Sequence, residues 1–328
     1  MSSRQIYRYS IIDCDIKDKE KGEIYRRKRT QWLEWLSGQE PPTILGQIYD
    51  ILWDYALFCS VDELRRIAIE QPMGEVGFNE SVMRLFDAGF ATTQAMAIRR
   101  LIEKPKHSPN LAVISLRRVL KDIRDNIDVI TRENYICYDG FPYGYETVRN
   151  AWQSRLVSGG KHIRVGTLNG NGPDAWSMSM LAHENFDKLA QVASKDRKRT
   201  DLIKIKVVEF LENKLDECRD VKTYVDKFIA HNAAPETRSD LSDSQKVLTL
   251  ERLQVCHKVI YRVASFISGQ LLWELTPSGV PVPQYDHLAN LNKSWATKAS
   301  LEKARSKWEE FVDDVKKWDP SSFWPPSP

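Results

Sequence analysis

The most apolar long window in the chain, Val255 to Leu272, carries Lys258 and Arg262 inside it. A bilayer interior offers nothing to two cations, whereas a helix in a protein core can turn both to its outer side. The window therefore reads as a core helix within a helical stretch over 247–274. Leu253, Cys256, Ile260, Val263, Ile267 and Leu271 recur at three- and four-residue spacing on its inward face. Such a stripe is buried only against other helices. The preceding segment supplies one: the pattern predicts a long helix over 201–230 with Leu211, Leu215, Cys218, Val221, Val225 and Phe228 in its stripe. A polar loop containing Pro235 folds the two into a helical hairpin.

Upstream, Pro41-Pro42 closes a leader over 1–40, because proline lacks the amide donor and disfavours helix in the residue before it. The leader holds a basic run, Arg26, Arg27, Lys28 and Arg29, then Trp32, Trp35 and Leu36 at the spacing of a helix docked by its aromatic face. The first half of the bundle, 41–129, has a helix starting near Thr43 that continues or restarts at Ser60, where Ser60 and Glu63 make a capping-box pattern. A helix over 79–103 is apolar nearly all round, which places it in the middle of the bundle. The next carries Arg117, Arg118, Lys121 and Arg124 on and around its outer face. Over 130–195 the helical pattern weakens and glycines accumulate, as expected of an insertion or connector packed on the bundle. The second half occupies 196–275. The remainder, 276–328, contains a peripheral or partner-binding helix with Trp308, Phe311, Val312 and Val315 on one face, then a proline-rich tail with Phe323 and Trp324. The expected fold is mainly α, a helical bundle with an irregular glycine-rich insertion and a C-terminal peripheral helix.

With 48 Lys and Arg against 45 Asp and Glu, the net charge of +3 does not announce a nucleic-acid binder. RNA contact would have to come from local patches such as the run at Arg26 or the stretch Lys195 to Arg199, each of which also reads as a solvated segment. Cations ahead of a helix oppose its dipole, so Arg197, Lys198 and Arg199 call for a reason other than helix stability. The cysteines Cys14, Cys59, Cys137, Cys218 and Cys256 are scattered with no Cys-x-x-Cys pair, which suits a reducing cytoplasm and argues against a zinc ribbon. No export signal is visible. Gly160-Lys161 lacks the leading glycine and the following hydroxyl of a phosphate loop, and His183-Glu184 lacks the second histidine of a zinc protease, since Asp187 stands there. No metal or cofactor is expected.

The chemical accent falls on Asp220 to Asn232. On a regular helix Asp220, Tyr224, Lys227 and His231 share one flank, and Asp226 falls on a different side. A neutral imidazole takes a proton near pH 7, and Lys227 one turn away can hold a phosphate. The structural alternative is a surface histidine complementing the negative end of a helix dipole. Arg99 and Arg100, at the end of the earlier helix, admit the same pair of readings: a phosphate site or a dipole complement.

The segment Asp226-Lys227-Phe228-Ile229-Ala230-His231-Asn232, closing a long helix ahead of a polar loop and an apolar helix, resembles the HEPN superfamily, most of all its bacterial abortive-infection branch. The resemblance covers about half the chain. It implies a metal-independent endoribonuclease of a bacterial defence or toxin system, usually with two motifs facing across a homodimer, and a protein partner or antitoxin in some settings. On that basis His231 matches the family histidine and Asp226 the polar residue. The family arginine has no match, because Tyr224, Val225 and Asp226 occupy the positions where it would stand. Lys227, with Arg99 or Arg100 from the earlier helix, would then hold the phosphate, and Tyr224 or Asn232 would position the backbone. The alternative from a different class is a non-catalytic dimerisation or partner-binding module.

Overall fold

The computed structural model describes residues 7–40, 42–70, 79–105, 113–157, 175–230, 233–274, 281–291, 293 and 296–318. The protein is mainly α. Among the described residues the only strand-like pairing is an antiparallel bridge between Thr131 and Leu202, and no helix is long and apolar enough to cross a membrane. The chain divides into two units, Met1–Pro281 and Val282–Pro328.

The first unit begins with α1 (Lys19–Ser37), capped by the Asp18 side chain accepting from the Lys21 amide. Tyr25, Trp32 and Leu36 on this helix are fully buried, so the segment read as a leader supplies core. The basic run divides by helical period. Arg26 and Arg29, three apart, turn inward, while Arg27 stays exposed. Arg26 donates to the Tyr138 carbonyl at 2.7 Å. Arg29 donates through Nε and Nη2 to the Leu272 carbonyl at 3.1 and 3.0 Å and pairs with Glu274 at 2.6 Å. Lys28 pairs with Asp122. Arg26, Lys28 and Arg29 thus fasten the N-terminal helix to distant segments of the first unit, while Arg27 faces solvent.

Helix α2 (Ile44–Glu70) runs through Ser60 without a break, and the Ser60 hydroxyl bonds back to the Ala56 carbonyl instead of capping a new helix. Helix α3 (Glu80–Leu101) is buried only in its second half, at Ala95, Ala97, Ile98 and Leu101. Its first half departs from the expectation of a central helix. Phe86 and Phe90 stack on Phe58 of α2, yet Leu85 is 75% exposed. On α4 (Leu116–Asp125) the cations are engaged within the protein: Arg117 pairs with Asp216, Arg118 lies over the Trp35 ring, and Arg124 pairs with Glu212.

The stretch read as a connector contributes α5 (Arg132–Cys137), α6 (Tyr145–Val157) and α7 (Ala175–Ala190), and Tyr135, Ile136, Cys137 and Phe186 join the common core. Its glycine-rich part, 158–174, lies outside the described residues. Arg132 is completely buried and pairs with Asp187 at 2.7 Å and Asp201 at 2.9 Å. The cations ahead of α8 (Ile205–Leu215) find their reason here, since Arg197 pairs with Asp187, and Arg199 with Asp15 and Glu133.

The region expected as one long helix is segmented. After α8 come a 3-10 turn over Asp216–Cys218, then α9 (Arg219–Tyr224), then a π turn over Val225–Ile229. The short α10 (Asp243–Lys246) leads to α11 (Leu250–Phe266), which also ends in a π turn, Ile267–Leu271. All the positions expected on its inward face, from Leu253 to Leu271, are buried. The second unit carries α12 (Lys298–Val315), which begins in a capping box between Thr297 and Ser300 and buries no residue.

Candidate functional site

The ends of α3 and α9 meet around Asp226. The α9 stripe, continued from α8, seats Leu215, Cys218, Val221 and Val225 in the core, and the buried second half of α3 packs alongside. This brings Arg99 to Asp226, Nε to Oδ1 at 2.5 Å. Lys222 reaches the other carboxylate oxygen at 2.5 Å from one turn back on α9. Burial works to raise the Asp226 carboxyl, and the hydrogen bonds from Lys222 and Arg99 outweigh it, holding the group below the ordinary carboxylate value. Asp226 is thus an anion clamped between two cations.

The clamp leaves Arg99 partly committed. Its Nε is bound, Nη1 lies 3.9 Å from Glu103, and the side chain keeps 24% of its surface exposed. The guanidinium therefore still presents N–H donors outward. Lys227, half-buried on the π turn, has no carboxylate partner among the described residues. Tyr224 stacks on Phe228 with ring centroids 5.1 Å apart, and Arg238 from the following loop lies over the other aromatic of that pair, 5.1 Å from the Phe228 centroid. Arg99 and Lys222 meet at Asp226, with Glu103 beside Arg99, while Lys227 and Arg238 belong to the adjoining π turn and loop.

The π turn changes the flank drawn from a regular helix. The Ala230 amide reaches back to the Val225 carbonyl at 2.8 Å, and the Ala233 amide to the Lys227 carbonyl at 3.0 Å. Phe228, expected in the buried stripe, is only half-buried and stacks on Tyr224. Asp220, expected on that flank, accepts from Gln245 of α10. Arg100 is exposed, without an ion pair among the described residues. His231 and Asn232 lie outside the described residues. Lys222 was the residue the sequence reading missed, although its four-residue spacing from Asp226 is the signal that finds it.

His183, the decoy of the zinc-like pair, is buried, with Nε2 2.9 Å from the Tyr143 carbonyl. Asp187 is occupied by Arg132 and Arg197. Among the described residues no His, Cys, Asp and Glu cluster could hold a metal ion. The fold and this site together define a helical-bundle protein with a cation-rich helix junction. Neither a protein-family model, a curated protein nor a solved structure matches the chain.

Proposed function

We propose that this protein is a HEPN-like, metal-independent endoribonuclease acting in a bacterial defence or toxin system, as a homodimer. The observation that carries the proposal is the Arg99–Asp226 contact at 2.5 Å. It brings a guanidinium from α3 to the segment whose own family arginine is absent. Carboxylate-held arginine presents a planar fork that lysine lacks, suited to two oxygens of one phosphodiester.

In the proposed reaction His231 takes the proton of a ribose 2′-hydroxyl, and that oxygen attacks the adjacent phosphorus. The bond to the 5′-oxygen breaks, and that oxygen takes a proton from solvent water while His231 returns its own to solvent, giving a 2′,3′-cyclic phosphate and a free 5′-hydroxyl. Arg99 and Lys227 stabilise the charge on the phosphorane, and Arg100, Tyr224 and Asn232 position the backbone. No metal enters the scheme. The test is cleavage of labelled RNA by the purified protein in chelator: wild type cuts, and His231→Ala at equal folded content does not.

The alternative, a non-catalytic dimerisation or partner-binding module, draws on a different observation. The outer parts of α2 and α3 expose Leu64, Ile67, Val82 and Leu85, and α12 exposes Trp308 at 72%. Absence of cutting at every protein concentration, with stable self-association, favours that module.

A further inference from the structure

A cleft of about 610 Å³ lies between α2 and α11, with Leu52, Tyr55, Glu251, His257, Lys258 and Tyr261 among its walls. That volume falls in the range of small-molecule sites, and the walls combine an apolar, aromatic floor with a few polar groups, as such sites do. His257 stands out among them. It is 3% exposed, neither ring nitrogen has a hydrogen-bond partner among the described residues, and burial lowers its pKa to about 4, so the ring is neutral. A neutral imidazole offers one donor and one acceptor, and buried groups of this kind ordinarily find partners. The Tyr55 ring covers it, edge to face, with centroids 5.1 Å apart. Tyr55 is itself only half-buried, its ring also tilted against Phe90 with centroids 6.3 Å apart.

Two charges flank the imidazole on the same helix. Glu251 and Lys258 are both exposed, and neither has an ion pair among the described residues. Seven residues of helix separate them by about 10 Å, which is the span of an extended nucleoside monophosphate from the base amine to the phosphate.

We propose that this cleft binds a nucleoside monophosphate whose base carries an exocyclic amine. The base rests on Leu52 and Tyr261 and donates its amine to Glu251, the pairing by which carboxylates read cytosine and adenine amines. The phosphate meets Lys258. The ribose lies between them, and Tyr55 swings aside so that a ribose hydroxyl, at once donor and acceptor, satisfies His257. The inference stands independently of the ribonuclease proposed above.

The experiment is calorimetric titration of the full chain with adenosine 5′-monophosphate, adenosine and ribose 5-phosphate, followed in parallel by the His257 ring C–H resonance. The monophosphate is expected to bind at one site, adenosine at least about tenfold more weakly, consistent with loss of a single charge-assisted contact, and ribose 5-phosphate not at all. The His257 resonance shifts on binding. Lys258→Gln, at an exposed position that leaves folding intact, abolishes the difference between nucleotide and nucleoside; His257→Phe, where it folds, removes binding. The proposal is overturned by absence of binding at millimolar nucleotide, by binding that leaves the His257 resonance in place, or by a Lys258→Gln variant that still prefers the monophosphate.

Discussion

Arg99 and Asp226, 127 residues apart in sequence, meet at 2.5 Å where α3 crosses the end of α9. Neither residue can be replaced without leaving charge behind. In Asp226→Asn the Arg99 and Lys222 cations lose the anion between them. With both partners of the pair about one-quarter exposed, the expected loss is about 1 kcal/mol of unfolding free energy, and it shrinks in high salt. Urea denaturation at low and high ionic strength measures it. An unchanged midpoint at low salt would contradict the clamp.

The deeper ionic site should respond far more strongly. Arg132 has no exposed surface and serves both Asp187 and Asp201, while Asp187 retains Arg197 when Arg132 is lost. Arg132→Met leaves Asp201 the Lys198 amide but removes its buried cation, and is expected to cost about 3–5 kcal/mol. Arg197→Met, at a partly solvated position, is expected to cost less. Thermal and urea midpoints of the two variants rank them, and a reversed order would contradict the assignment of Arg132 as the centre.

Acid stability carries the signature of the buried histidines. Burial leads in lowering both His183 and His257 from the ordinary 6.5 to about 4, and Arg197 and Arg132 reinforce it at His183. Between those values the unfolded chain binds protons that the folded chain refuses. Stability therefore rises with pH from about 4 to about 6.5, each imidazole contributing up to about 1.4 kcal/mol per pH unit. His257→Phe, which keeps an aromatic ring against Tyr55, should flatten that slope. An equal slope in the variant would show His257 titrating normally.

Self-association is expected to depend on the exposed apolar residues of the α2–α3 pair. Leu85, three-quarters exposed, contributes nothing to the core and so can be changed without unfolding. Leu85→Asp should shift the sedimentation velocity profile toward monomer. A profile identical to wild type would place any dimer contact elsewhere.

The mainly α fold was legible because helical periodicity reports burial directly. The stripe of α11 and the Trp32 and Leu36 positions of α1 lie in the core as their spacing implies. Charge was read less well. A run such as Arg26 to Arg29, or Lys195 to Arg199, looks the same in sequence whether it faces water or internal carboxylates, because its partners (Glu274, Asp187, Asp15 and Glu133) come from distant segments. The meeting of Arg99 with Asp226 depends on helix packing that local spacing does not encode. The π turn at Val225–Ile229 likewise has no residue signature, since it changes the hydrogen-bond register without calling for glycine or proline. A flank through Tyr224 and Lys227 presumes a regular helix, and the π turn interrupts that regularity from Val225.

The most direct test compares wild type, His231→Ala and Arg99→Lys on labelled RNA in chelator, at equal folded content and over protein concentrations that include the dimer. The account predicts metal-independent cutting by the wild type and none by His231→Ala. It also predicts a loss of about 10²-fold or more in Arg99→Lys, because lysine keeps the charge but not the fork. Cutting that survives Arg99→Lys undiminished, or no cutting by the wild type at any concentration, would contradict it.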